Sequence, residues 1–172
     1  MHDIFLSYAN EDRSRVSFLV DALQSHGWGV WWDRAIRLGQ NFDQVIEEAL
    51  DAARCVVVVW SKASVVSEWV RNEAHEGAQR GILVPVVIDT QVRLPLAFRR
   101  MQTAQLLDWQ NVGPPEEFDK VVAAITHLIG PPRIIESPEP VADIDQHGQL
   151  TSSVVRSTRI INSVNMEFGV SA

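Results

Sequence analysis

Cysteine is almost absent from this chain: among 172 residues there is one, Cys55. It lies in the apolar run Arg54-Cys55-Val56-Val57-Val58-Val59-Trp60, which suits a buried thiol in a reducing compartment and excludes an intrachain disulfide. Long apolar runs are missing as well. No stretch reaches the roughly eighteen apolar residues of a membrane span, and the opening residues MHDIFLSYANED lack the basic and then apolar layout of a signal peptide. A cytoplasmic protein is the expectation. Positive charge is in deficit: 15 Lys and Arg stand against 22 Asp and Glu, for a net charge of -7. That balance argues against nucleic acid and anionic membranes as partners, though not against a small anion held by backbone amides. His2, His26, His75, His127 and His147 show no ligand spacing, so no metal is expected. No G-x-G-x-x-G is present, and no acidic cluster follows the first apolar run, which disfavours a Rossmann dinucleotide grip and a phosphoacceptor site. No internal repeat is visible.

What is present is ordinary for a globular domain: 46% hydrophobic and 22% charged residues, in a length that suits one domain with a core plus a remainder. Strands are expected at 3–8, 29–32, 54–60, 82–88 and 104–108, with helices between them. Val16, Leu19, Val20 and Leu23 share one helical face after a cap at Asn10 or Asp12, and that helix stops at Gly27. Phe42, Val45, Ile46, Ala49 and Leu50 form a second such face, and a last helix runs from about 115 to 129. The β-branched run at 56–59 reads as a central parallel strand covered on both sides. Pro85 is an objection within the fourth strand, because proline removes a ladder donor. The alternation implies an α/β fold: a flavodoxin-like, doubly wound, five-stranded parallel sheet of order 2-1-3-4-5 with helices on both faces. The domain is expected over 1–130 and a proline-rich, acidic linker over 131–147. The tail, 148–172, is β-branched and nearly uncharged. It is either a segment that pairs with copies of itself or a partner, or a loosely docked end.

The segment Ser67 to Gly77, SEWVRNEAHEG, poses the chemical question. Residues four apart stack on one side of a helix, so Trp69 and Glu73 face the same way. Either Glu73 is a solvated charge paired with an arginine of its helix, or it is a carboxylate held beside a ring for chemistry.

Four segments in order, FLSYANED, DRAIRLGQNF, SEWVRNEA and LLDW, resemble a Toll/interleukin-1 receptor (TIR) domain of bacterial type. Ser7, Tyr8 and Asp12 match the family's Ser-Tyr-x-x-x-Asp box. The chain departs from the pattern at Leu38, where a proline commonly precedes the glycine, and at Asp108-Trp109, which keeps only the tryptophan of a Phe-Trp box. Trp69-x-x-x-Glu73 matches the Trp-x-x-x-Glu pattern of those TIR domains that cleave NAD.

That resemblance implies an NAD+ glycohydrolase, which releases nicotinamide and either ADP-ribose or a cyclic ADP-ribose isomer and acts after self-assembly in bacterial immunity or antiphage defence. NAD+ is then a substrate, and no cofactor is expected. Glu73 is the implied catalytic residue. Implied substrate contacts are Trp69, Tyr8, Ala9, Asn10, Trp31, Trp32 and Ser61, at strand ends where amides and helix dipoles would favour a diphosphate. Trp31 and Trp32 alternate faces of a strand, so at most one of them belongs in the site. The implied assembly loop contains Asp33, Leu38, Gly39 and Phe42. An upstream activator acting through the tail is a further expected partner. Duller roles stand beside these: core packing for Trp69, turn capping for Ser7 and Tyr8, and an ion pair with Arg80 for Glu76. The alternative function is a non-catalytic TIR-TIR interaction module.

Overall fold

The computed structural model describes residues 2–32, 42–107, 109 and 115–131. The expected linker, Pro131 apart, and the expected tail lie outside the described residues. Strands β1 (Ile4–Ser7), β2 (Val30–Trp31), β3 (Cys55–Trp60), β4 (Leu83–Val87) and β5 (Ala104–Gln105) form one sheet. Its order is β2-β1-β3-β4-β5 and every pairing is parallel. The helices are α1 (Arg13–Ser25), α2 (Phe42–Asp51), α3 (Glu68–Gln79) and α4 (Glu117–Ile129). This is the expected α/β architecture.

Because β3 is central and helices cover both faces, all six of its residues are buried. Alternate side chains divide between two cores. Ile4, Leu6, Tyr8, Val57 and Val59 pack with α1 and α4 through Leu19, Leu23, Val121 and Ile125. Phe5, Val56, Val58 and Trp60 pack with α2 and α3 through Ile46, Leu50, Val70 and Ala74. A strand period of two and a helix period near four thus meet on each face. Among the described residues no helix is long and apolar enough to cross a membrane.

Pro85 fits its strand after all. Val56 N donates to Ile82 O and Ile88 N to Trp60 O, so even-numbered residues of β4 bond to β3 and odd-numbered ones point away from it. Pro85 therefore lies on the outer side, and β5 pairs only with Val86 and Val87. No ladder donor is lost, and an open edge is blunted. The fifth strand is shorter than expected, Ala104–Gln105 instead of 104–108, because β4 stops at Val87, the partner of Gln105.

The expected side-chain cap of α1 is not made. Asp12 occupies the cap position without a cap bond, because its carboxylate accepts from the Ser61 hydroxyl and, at 3.1 Å, from Arg15. Arg15 also donates to Ile88 O at 2.6 Å and to Asp89 at 2.7 Å. This network joins the carboxyl ends of β3 and β4 to the start of α1.

Candidate active site

Helix α3 begins at Ser67, whose extended backbone and side-chain acceptor for Val70 N make a regular N-cap. Its buried face carries Val70, Glu73, Ala74 and Gly77. Gly77 permits a close approach to the sheet: a Cβ there would lie 2.9 Å from Val56 Cβ, closer than side chains tolerate. One turn earlier the same approach brings Glu73 down to the end of β1.

Glu73 is only 3% exposed, which sets aside the reading of it as a solvated surface charge. A buried carboxylate must be met by donors. Ser7 Oγ, itself fully buried, donates to Glu73 Oε2 at 2.5 Å, and Trp69 Nε1 donates to Oε1. The ring of Trp69 is half-buried against the α2/α3 core. Packing and a polar role are therefore combined in one residue.

Beside this pair lies a cavity of about 330 Å³ between α2 and α3. Ile46 and Trp69 give it apolar wall, and the carboxylates of Asp43, Glu47, Asp51, Glu73 and Glu76 line it. Such a lining attracts cations and repels phosphate. Glu76 belongs to this wall, not to an ion pair with Arg80. The guanidinium of Arg80 instead caps the end of α2, donating to the carbonyls of Leu50 at 2.8 Å, Asp51 at 3.2 Å and Ala53 at 2.7 Å. These carbonyls lie at or just beyond the end of α2, where regular helix donors run out; Leu50 O also accepts from Ala53 N at 3.1 Å. A larger cavity of about 650 Å³ lies elsewhere, between β4, β5 and α4.

The remaining candidates separate by face. Trp31 stacks on Phe5 with centroids 4.9 Å apart, on the α2/α3 face that also holds Trp69. Trp32 and Tyr8 pack on the opposite face, where Tyr8 Oη donates to Trp32 O at 2.9 Å and Arg13 lies 5.4 Å over the Trp32 ring. Ala9 is buried and Asn10 exposed in the turn after β1. Ser61 is fully buried and donates to Asp12. The amides expected to favour a diphosphate after β3 are already engaged: Ser61 N with Ser64 Oγ, Ser64 N with Ser61 Oγ, and Lys62 N with Asp89. Asp33, Leu38 and Gly39 lie outside the described residues, as does the side chain of Phe42. Trp109 packs edge-on against Phe118 at 4.9 Å, in the α1/α4 core.

Sequence reasoning places Ser7 at a strand end without finding its partner. The signal available is the period of two: Ser7 follows Phe5 on the face that Val58 shares, and a lone hydroxyl there requires an acceptor. The carboxylate wall supplied by α2 had no such signal, since Asp43 and Glu47 read as the polar side of an amphipathic helix.

Two other ionisable groups have clear structural causes for their state. Burial pushes the Cys55 thiol up to about 12, so it stays protonated and inert. Asp89 loses some solvation, which raises its pKa, but the Lys62 amide and Arg15 outweigh this and hold it below the ordinary aspartate value of 3.8.

Comparison with known proteins gives consistent results. The family described as TIR domain matches residues 4–122. A protein of Theionarchaea archaeon named NAD(+) hydrolase TcpA is 34% identical over 92 residues, which cover 49% of this chain and 28% of that protein. One of Paracoccus denitrificans named NAD(+) hydrolase PdTIR is 32% identical over 92 residues, covering 49% of this chain and 31% of that protein. The chain thus spans less than a third of the length of either relative. Among solved structures, the TIR domain of a Toll-related receptor from Hydra magnipapillata shares the fold, with a TM-score of 0.55 and 21% identity over 61% of this chain and 84% of that one. A metazoan TIR-STING receptor from C. gigas aligns with a TM-score of 0.60 and 26% identity over 73% of this chain and 39% of that one.

Proposed function

Since the chain belongs to the TIR domain family, we propose that it is an NAD+ glycohydrolase, cleaving the nicotinamide–ribose bond to give nicotinamide and ADP-ribose or a cyclic ADP-ribose isomer. The observation that carries this reading is Glu73, a carboxylate 3% exposed and bonded to Ser7 and Trp69 at the wall of a cavity. Two relatives that bear the name NAD(+) hydrolase support it at the level of the family.

The chemistry asks little of the protein. Ordinary glycosidases need a general acid because an alkoxide leaves poorly. In NAD+ the base is already a cationic pyridinium, so the bonding pair goes to its nitrogen and nicotinamide departs neutral. Positive charge then grows on the ribose, and a fixed carboxylate in a water-poor site stabilises it by electrostatic preorganisation. Glu73 is that anion, set against the ribose hydroxyls, with Trp69 as a flat wall and Trp31 as the aromatic on the same face. Water attacks the ribose carbon and loses a proton to give ADP-ribose; attack by an adenine nitrogen gives a cyclic isomer. The other carboxylates of the cavity favour the cationic end of the dinucleotide and turn its diphosphate outward. In this reading the diphosphate lies at the turn formed by Tyr8, Ala9 and Asn10 before α1.

Self-assembly as the trigger, a cytoplasmic setting and a part in bacterial immunity belong to this proposal. In this reading the segment 33–42 completes a neighbour's site. The test is chromatographic resolution of products from concentrated wild type and Glu73→Gln incubated with NAD+. Turnover in the variant is expected to fall roughly a thousandfold with an unchanged melting temperature. Equal turnover in the two proteins would refute the role of Glu73. No nicotinamide from any assembled preparation would favour the interaction module instead.

A further inference from the structure

Outside the Trp-x-x-x-Glu motif, Ser7 touches the Glu73 carboxylate from the sheet. Ser7 is the last residue of β1, fully buried, and paired in register with Val58. Its neighbours on that face are Phe5 and Val58, which offer its hydroxyl no acceptor. The hydroxyl is satisfied by Glu73 Oε2 at 2.5 Å.

The bonds from Ser7 and Trp69 differ in what they can fix. Trp69 lies one turn before Glu73 on the same helix, so its bond travels with α3 and sets only the local rotamer. The bond from Ser7 spans 66 positions of sequence and ties the carboxylate to the end of β1, where ligands of doubly wound sheets bind. A donor to a carboxylate also favours its charged form. We propose that Ser7 is a positioning residue that keeps Glu73 ionised and aimed at the ribose. This rests on the reading of Glu73 as the stabilising anion, and being fully buried Ser7 acts through Glu73 without touching substrate.

The experiment compares NAD+ turnover against pH for assembled wild type, Ser7→Ala and Ser7→Thr, with a thermal melt of each. It adds a pH titration of the Glu73 carboxylate by carbon-13 NMR, assigned with Glu73→Gln. In Ser7→Ala, kcat is expected to fall about tenfold to a hundredfold. KM should stay nearly constant, and the acid limb of the profile should move to higher pH. The carboxylate resonance should move in the same direction. Ser7→Thr, which keeps the hydroxyl, should recover most of the loss. If Ser7→Ala fails to fold at the assay temperature, Ser7→Cys supplies a near-isosteric, weaker donor, expected to lie between alanine and wild type.

Wild-type kcat and pH profile in Ser7→Ala would overturn the inference and leave the glycohydrolase reading standing. So would a folded Ser7→Thr as impaired as Ser7→Ala. A silent wild type whose Glu73 resonance still shifts in Ser7→Ala would sink the glycohydrolase reading and preserve the hold of Ser7 on the carboxylate. Silence in both measurements would sink both.

Discussion

The two faces of the sheet are made by the same strands, residue by alternate residue, yet they are filled differently. Between the sheet and α1 and α4 the core holds aliphatic and aromatic side chains, with Tyr8 turned so that its hydroxyl reaches a backbone carbonyl. Between the sheet and α2 and α3 a comparable core is interrupted by Ser7 and Glu73. Burying a carboxylate among apolar groups costs free energy that its partners must offset. Packing alone gives no reason to place it there. The place where a sequence breaks its own local pattern is where function is expected. A second buried carboxylate, Asp12, sharpens the point, because Arg15 and Ser61 seal it into a network between strand ends while Glu73 lines a cavity.

If the faces divide labour in this way, damage to them should separate stability from turnover. The largest expected effect on stability comes from the apolar side. Leu23 is completely buried, and Leu23→Ala should lower the unfolding free energy by about 2–5 kcal/mol, measured by denaturant melts. Nicotinamide release per folded molecule should be unchanged. A proportional loss of turnover would break the comparison.

On the other face, Gly77→Ala should cost about 1–3 kcal/mol, since its Cβ would meet Val56 Cβ at 2.9 Å. Turnover should fall further than unfolding explains, because lifting α3 stretches the bond from Ser7 to Glu73. Gly81 is the control: it ends α3 at φ 68 with open space around it. Gly81→Ala should cost about 1 kcal/mol through backbone strain and leave kcat alone.

The smallest effect is expected at the rim, from Asp89. Its folded pKa lies below the ordinary 3.8, so its contribution to stability is fully present above that value and is lost as pH falls through the folded one. Asp89→Asn should therefore flatten the acid side of the stability curve, followed by melting temperature between about pH 2 and 6. A curve that stays parallel to wild type would show that the bonds to Arg15 and Lys62 carry no linkage.

Much of this molecule is legible without coordinates. The run at 56–59 is a central strand because β-branched residues without polar alternation can only be covered on both faces. Val16, Leu19, Val20 and Leu23 announce their helix by spacing, and Gly27 announces its end. Trp69 and Glu73 share a helix side by arithmetic alone. Other features needed contacts between distant segments. Pro85 looks like a flaw until the ladder shows its missing donor facing an open edge. Ser61 and the amides near it look available to a diphosphate until Asp12, Ser64 and Asp89 are seen to occupy them.

The sequence by itself determined the local periods, and with them the sheet, its helices and the shared side of Trp69 and Glu73. These follow from steric and hydrophobic rules that act over a few residues. Only the tertiary structure decided that Glu73 is buried, that Ser7 reaches it across the fold, and that Glu76 joins Asp43 and Glu47 around one cavity. Those facts depend on how closely α3 settles on β3, a distance set by the missing side chain of Gly77 and by no periodicity in the chain.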